Sequence, residues 1–252
     1  MKSTKRFKTI ILLLALITSI TLNSCDDDIN FNGNCISGEG ATVTQILTLS
    51  DFDGIELSVE GNVIVSQGPT QEVKVTGQQN IIENLSTSVS NGLWTITSEN
   101  GCFKNYDLTV EIIIPDLNLL NITGSGNINV NDFNNQNTLT IRITGSGNMT
   151  LNQFEGITNL NTTLTGSGTF RANSDILTLE TLTVGISGSG EYKGFEISSN
   201  NCSVNVSGSG RSELTAIESL NVVISGSGTV AYKGSPSISQ TITGSGRVVD
   251  AN

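Results

Sequence analysis

Apolar and polar residues alternate along most of this 252-residue chain. Leu139, Ile141 and Ile143 are separated by Thr140 and Arg142, Leu182, Val184 and Ile186 by Thr183 and Gly185, and Leu220, Val222 and Ile224 by Asn221 and Val223. A period of two puts every second side chain on the same face, so each segment predicts a strand with one buried face. The first half alternates less regularly, at Ile55, Leu57 and Val59, at Val63 and Val65, at Val73 and Val75, and at Trp94 and Ile96. The run from Leu108 to Ile114 stops at Pro115, which has no amide to give a ladder. Beyond residue 25 no helical period is sustained, and Ile81 to Ser88 has room for one turn.

The strands are punctuated by one corner sequence. Gly-Ser-Gly occurs seven times, as Gly124–Gly126, Gly145–Gly147, Gly166–Gly168, Gly188–Gly190, Gly208–Gly210, Gly226–Gly228 and Gly244–Gly246, at intervals of 21, 21, 22, 20, 18 and 18 residues. Two residues before the first Gly stand Ile122, Ile143, Leu164, Ile186, Val206, Ile224 and Ile242. Four residues after it stand Ile128, Met149, Phe170, Tyr192, Ser212, Val230 and Val248, and the residue just before it is always Thr or Ser. A β-hairpin with a three-residue loop would set these two apolar rows opposite each other. A β-helix coil, whose corner passes the chain from one parallel sheet to the next, also explains why similar residues recur at every aligned position, because parallel coils stack like on like at about 4.8 Å. The expected fold is therefore all-β, a right-handed parallel β-helix (β-solenoid) of 18–22 residues per coil, its hand following the crossover rule. Glycine suits the corner because a tight bend needs a positive φ or no Cβ. Gly61-Asn62 lies 63 residues before Gly124, three intervals of 21, which extends the expectation of successive coils into residues 41–116.

The first 24 residues have a different pattern. A basic stretch ending at Lys8 precedes an apolar run of 14 residues from Thr9 to Leu22, too short to span a bilayer comfortably and placed as the core of a signal peptide. Leu22-Asn23-Ser24-Cys25 resembles the lipobox of bacterial lipoproteins. The resemblance implies cleavage before Cys25 and lipidation of that residue, hence a lipid anchor in a membrane. Asp26, Asp27 and Asp28 follow directly; such a cluster looks like a signal for the outer face of the outer membrane in some Gram-negative lineages, and for inner-membrane retention in others. Residues 25–40 then read as an acidic, glycine-rich tether and 41–252 as one head domain, with degenerate coils to 116 and regular ones from 117. The expected location is the cell envelope, on the outer membrane and exposed at the surface.

Composition narrows the chemistry. There is no histidine, so a Ser-His-Asp or Cys-His nucleophile and a His-ligated metal are excluded. The leader carries four of the 12 cations and none of the 23 acids, and its loss leaves eight cations against 23 acids, a formal charge of −15. Such a chain is a poor partner for nucleic acid. With Cys25 assigned to lipid, Cys202 falls at an inward strand position and reads as a small buried hydrophobe. Cys35 and Cys102 either pair, stapling the tether to the first half of the head, or remain as two thiols.

Phe52-Asp53-Gly54-Ile55-Glu56, Gly61-Asn62-Val63, Val73-Lys74-Val75, Leu93-Trp94-Thr95-Ile96, the run Val110 to Pro115, and Ile122-Thr123-Gly124-Ser125-Gly126-Asn127-Ile128 follow one another in order. This series resembles the head GIN domain family of putative autotransporter adhesins, over about residues 44–250. The resemblance implies a right-handed parallel β-helix like that of pectin lyases, without conserved catalytic residues, and supplies no binding residues to transfer.

The residues themselves offer little for catalysis. The nine acids after residue 116 fall at scattered repeat positions, and Asp51, Asp53 and Glu56, the nearest approach to a metal set, lack the following ligands of a calcium loop. No metal or cofactor is expected. The leading reading is a non-catalytic envelope lipoprotein, a surface adhesin or structural solenoid that binds a glycan or a surface protein. A glycan-binding module for nutrient capture comes second, and a carbohydrate-active enzyme third. The row of Thr and Ser beside the corners could serve a repetitive ligand, or merely suit strands and turns. Trp94 is the aromatic to test first as a sugar platform. The C-terminal coil, with no capping helix after it, is expected to join copies into a homo-oligomer.

Overall fold

In the computed structural model, residues 35–131, 133–134, 137–154, 156–173 and 176–252 are described, without the side chains of 176 and 177. The leader, Cys25, the tether up to Asn34, and the acids Asp132, Glu155 and Asp175 lie outside the described residues. The described residues form one unit of stacked parallel coils, a β-solenoid of about 6 turns.

Each coil contributes an inward row before its corner and another after it. Before the corners, Thr138–Gly145 lies parallel to Asn159–Gly166, with Ile141 on Thr162, Ile143 on Leu164 and Gly145 on Gly166. The register continues through Ile186, Val206, Ile224 and Ile242. After the corners, Asn127–Asn131, Asn148–Leu151 and Thr169–Ala172 stack in the same way, with Ile128 on Met149 and Met149 on Phe170. Both rows point into one continuous core, where Phe170 stacks on Tyr192 with ring centres 4.8 Å apart and Phe133 on Phe154 at 5.6 Å. The coil, not the hairpin, is thus the repeating unit.

The first half departs from the expected succession. Asn62 pairs with Asn127 directly, so the 63 residues between the glycines correspond to one step of the stack and not three. The coil made by Gly54–Leu57 and Asn62–Gln67 is sandwiched: Leu119–Ile122 and Asn127–Asn131 lie on one side, Leu93–Ile96 and Leu108–Ile114 on the other. The chain lays down the middle coil first and the end coil later. Its reversal comes after Gln67, where Gly68-Pro69 breaks the strand and Glu72–Gln78 returns antiparallel, between Leu108–Ile114 and Thr42–Leu47. Alternation is the same for parallel and antiparallel strands, so the pattern could not show this turn back. A single-turn helix, Gln79–Ile82, follows and buries Ile81 and Ile82.

Cys35 and Cys102 form a disulfide with Cα atoms 4.5 Å apart, and beside it Ile36–Ser37 pairs parallel with Phe103–Lys104. Cys202 is buried, and burial pushes its thiol up to about 11.

Core burial is near complete along the stack from Ile122 to Ile224 and falls abruptly at the last coil. Leu164 is fully buried between two coils, whereas Ile242 in the last coil is 37% exposed. Leu164→Ala should therefore cost about 2–5 kcal/mol of unfolding free energy, and Ile242→Ala less than about 1 kcal/mol, as read by chemical denaturation. Equal losses would refute this difference between the interior coils and the last one.

Candidate binding surfaces

The corners are built from two glycines with different duties. The first Gly of each corner from Gly145 onward has φ between +115° and +121°. A Cβ on Gly166 would also stand 2.5 Å from the carbonyl oxygen of Gly145 one coil away. The second Gly has ordinary φ but no space: a Cβ on Gly168 would meet the Gly147 carbonyl oxygen at 2.7 Å. Gly124 differs from the rest, with open space around it and no positive φ, because the coil against it turns through Ser58-Val59-Glu60-Gly61 instead of a second Gly-Ser-Gly. Between the glycines, each central Ser from Ser146 onward donates its amide to the first-Gly carbonyl of the preceding coil, as Ser167 to Gly145 at 2.9 Å and Ser227 to Gly208 at 2.8 Å. All seven central serines and all seven preceding hydroxyl residues, from Thr123 to Thr243, are exposed.

This edge borders a broad polar face. From Thr138 onward, the outward residues one, three and five before each first Gly are almost all Thr, Ser or Asn, and Arg142 is the only charged one. The strands after the corner carry the charges instead, paired as Lys193 with Glu191 and Arg211 with Glu213. Hydroxyls repeating at about 4.8 Å can donate to and accept from a ligand that repeats in the same way.

The amides nearest the sandwiched coil are already engaged. Asn127 donates to Asn62 and Asn148 to Asn127, at 3.1 and 3.0 Å, and a second ladder runs from Asn173 through Asn152 to Asn131. The same stacking claims two of the three candidate metal ligands: Asn118 donates to Asp53 at 2.6 Å and Asn121 to Glu56 at 2.7 Å. Asp51 and Asp53, with Asp116, line an open groove of about 760 Å³ beside Phe52 and Pro69. Among the described residues no cluster of three His, Cys, Asp or Glu is placed to hold a metal.

Trp94 is no platform. It is fully buried, packs against Phe52 at 5.6 Å and donates its indole N–H to the Ser86 carbonyl. Four described aromatics are half-buried: Phe195, under the Lys233 ammonium, Tyr232, and Phe103 and Tyr106, which pack edge-to-face at 5.3 Å. With Lys104, Asn105, Glu60 and Cys102, Phe103 and Tyr106 line a second open groove of about 670 Å³. Tyr106 donates its hydroxyl to the Glu60 carbonyl at 2.8 Å, and burial raises its pKa. Sequence reasoning missed this pair. The signal was local: Phe103-Lys104-Asn105-Tyr106 interrupts the alternation just after Cys102, as a loop bearing aromatics would.

The coils, the corner glycines and the polar face define a non-globular repeat scaffold, a parallel β-solenoid that displays regular surface. The family described as "Putative auto-transporter adhesin, head GIN domain" matches residues 51–236, and the chain belongs to it. It is similar to the crystal structure of a putative lipid binding protein from Parabacteroides distasonis, at 25% identity and a TM-score of 0.72, over 86% of this chain and 99% of that one. It is also similar to a putative adhesin from Parabacteroides merdae (19% identity, TM-score 0.68, 86% and 99% covered) and to one from Bacteroides fragilis (21%, 0.68, 85% and 98%). No curated protein matches the chain.

Two outcomes check this geometry. Gly166→Val should destabilise the head by several kcal/mol, roughly 3 or more, because strain and a backbone clash coincide, while Ser167→Ala at the exposed tip should stay within about 0.5 kcal/mol of the parent. Comparable thermal midpoints for the two variants would refute the corner assignment. The second concerns Tyr192, whose hydroxyl is buried and makes no hydrogen bond to protein, and whose pKa burial holds well above the ordinary phenol value. Below about pH 10 both folded and unfolded chains keep this proton; above it the unfolded chain releases the proton and the folded one does not, so stability falls. Tyr192→Phe should be at least as stable as the parent at neutral pH and should lose less stability between about pH 9 and 12. Identical alkaline slopes in denaturant titrations would count against it.

Proposed function

We propose that this protein is a non-catalytic adhesion protein of the cell envelope, lipid-anchored to the outer membrane through Cys25 after removal of residues 1–24, tethered by residues 25–40, and displaying the 41–252 head outside the cell. The observation that carries this reading is the hydroxyl-rich face, charged only at Arg142, bordered by the corner ladder and held on a scaffold of tight corners. Its repeat suits a repetitive surface ligand, a glycan or a surface protein, more than a single small substrate. The engagement of Asp53 and Glu56 by asparagines of the next coil favours structure over acid–base work at those carboxylates. The disulfide fits an oxidising compartment, and the acidic mature chain disfavours nucleic acid. The exposed Ile238 and Ile242 of the last coil favour self-association through that end.

A second reading, glycan capture for nutrition, has one specific observation behind it. Phe103 and Tyr106 offer apolar ring surface beside Lys104 and Asn105 in one groove, the mixture a sugar ring needs.

Treatment of intact cells with an external protease separates location from chemistry. Degradation of a tagged head on intact cells, together with release of a Cys25→Ala variant from the membrane fraction, is the expected result. Protection until the outer membrane is opened would overturn surface display. Loss of oligosaccharide binding in Tyr106→Ala, with binding kept when the corner serines are replaced, would favour the second reading.

A further inference from the structure

The last strand before a corner, Ser237–Gly244, pairs on one side with Arg211–Gly226, and every one of its residues is exposed. Its inward positions belong to the rows that are buried in the coils from Thr138 to Gly226. Leu220 and Ile224 are each 1% exposed; their counterparts Ile238 and Ile242 are 41% and 37% exposed. This edge therefore presents unpaired backbone and two aliphatic side chains together, with no charge and no proline from Ser237 to Gly244 to discourage pairing.

The order of residues along this edge indicates what covers it. Read outward from Gln240, the strand is chemically the same in both directions: hydroxyl at Ser239 and Thr241, isoleucine at Ile238 and Ile242, hydroxyl at Ser237 and Thr243. An antiparallel pair of identical strands related by a two-fold axis normal to the sheet must set residues of like face opposite one another. Centred on Gln240, that pairing places Ile238 against the partner's Ile242, Ser239 against the partner's Thr241, and the two Gln240 amides against each other. The inward face then gains two Ile–Ile contacts, and the outward face carries hydroxyl against hydroxyl. A one-residue slip would turn the apolar set to the wrong face. Among the described residues, no other strand of the regular coils combines a free edge with this symmetry. The strand is also uncharged in a strongly acidic protein, so it is where two copies meet with little repulsion.

We infer that Ser237–Gly244 is a self-recognition strand: two copies join tip to tip by antiparallel pairing of this strand about Gln240. The disulfide and the strand Ile36–Ser37 sit at the opposite end of the stack, beside the coil of Leu93–Ile96 and Leu108–Ile114. Tip-to-tip pairing therefore directs the two tethers away from each other. Resting on the membrane anchoring proposed above, this geometry makes the partner of the adhesin a second copy on a facing cell.

Cross-linking on cells tests the pairing in the full chain. Gln240→Cys puts a thiol on the two-fold axis, while Cys35 and Cys102 are bonded and Cys202 is buried. Mild oxidation should give a disulfide dimer of Gln240→Cys in several-fold higher yield than of Ser219→Cys, which lies one coil inside the edge. Equal yields, or no dimer, would overturn the pairing. Charge supplies the second arm, read as the mass of the purified full chain in detergent by sedimentation. Gln240→Lys and Gln240→Glu should each run as a single chain, because like charges then face each other, and an equal mixture should restore the two-chain species. A parent that is a single chain at every concentration, or a Lys variant that still pairs, would also overturn it. Mixing cells that carry differently tagged Gln240→Cys proteins separates the two steps. A cross-link between tags supports contact between cells, and dimers of one tag only would refute that consequence while the pairing itself stands.

Discussion

In a stack of parallel coils, the neighbour of an inward residue is the equivalent residue one coil above and one below, and this in-register contact governs the rest of the molecule. It brings Ile143 against Leu164 and Phe170 against Tyr192, and it also brings glycine carbonyls to within a few ångströms of the glycine Cα atoms of the next coil. A side chain that fits once must fit again about 4.8 Å away, so the permitted residues at each level are few and repeat. The corners show how tight this becomes. From Gly145 onward a Cβ at the first glycine would strike backbone that cannot move without displacing the next corner.

The same rule organises the polar residues. An amide stacked on an amide can donate below and accept above, as Asn127 does between Asn62 and Asn148, and Asn152 between Asn131 and Asn173. Where the neighbour changes to Asp53 or Glu56, the amide of Asn118 or Asn121 finds a carboxylate instead. These pairs join coils laid down 65 residues apart, and they help hold the sandwiched first coil against the regular stack.

How much of this was legible in the chain follows from which interactions are local. The alternation around Ile141 and Ile143 and the repeated Gly-Ser-Gly report strand, face and period directly, because the residues that stack are equivalent by sequence interval. The order of coils in the first half was not legible. Whether Val73 and Val75 run with or against Val110 and Ile112 is set by the bend at Gly68-Pro69, and alternation has no direction. The 63-residue spacing then coincided with three periods by accident of the excursion through Glu72–Gln78 and the helix Gln79–Ile82. Trp94 was ambiguous in sequence because an indole serves a core or a platform equally well; the partner that decides, Phe52, lies 42 residues away. Phe103 and Tyr106 were legible only as a break in pattern, and their groove depends on Glu60 from a coil the sequence could not place.

A solenoid built by this rule has two special coils, its ends, and the two ends of this head are finished differently. At one end the stack is closed by antiparallel strands, a turn of helix that buries Ile81 and Ile82, and a disulfide, all of which break the repeat so that no further coil can add there. At the other, Ser237–Gly244 keeps the repeat faithfully up to its edge, with Ile238 and Ile242 still at the inward positions and still aliphatic. A cap selected only for solubility would replace those two residues with polar ones, as the exposed outward rows already do. Their retention, symmetric about Gln240, is the reason to read that edge as a surface kept for contact, and it ties the function of the head to the constraint that shapes its core.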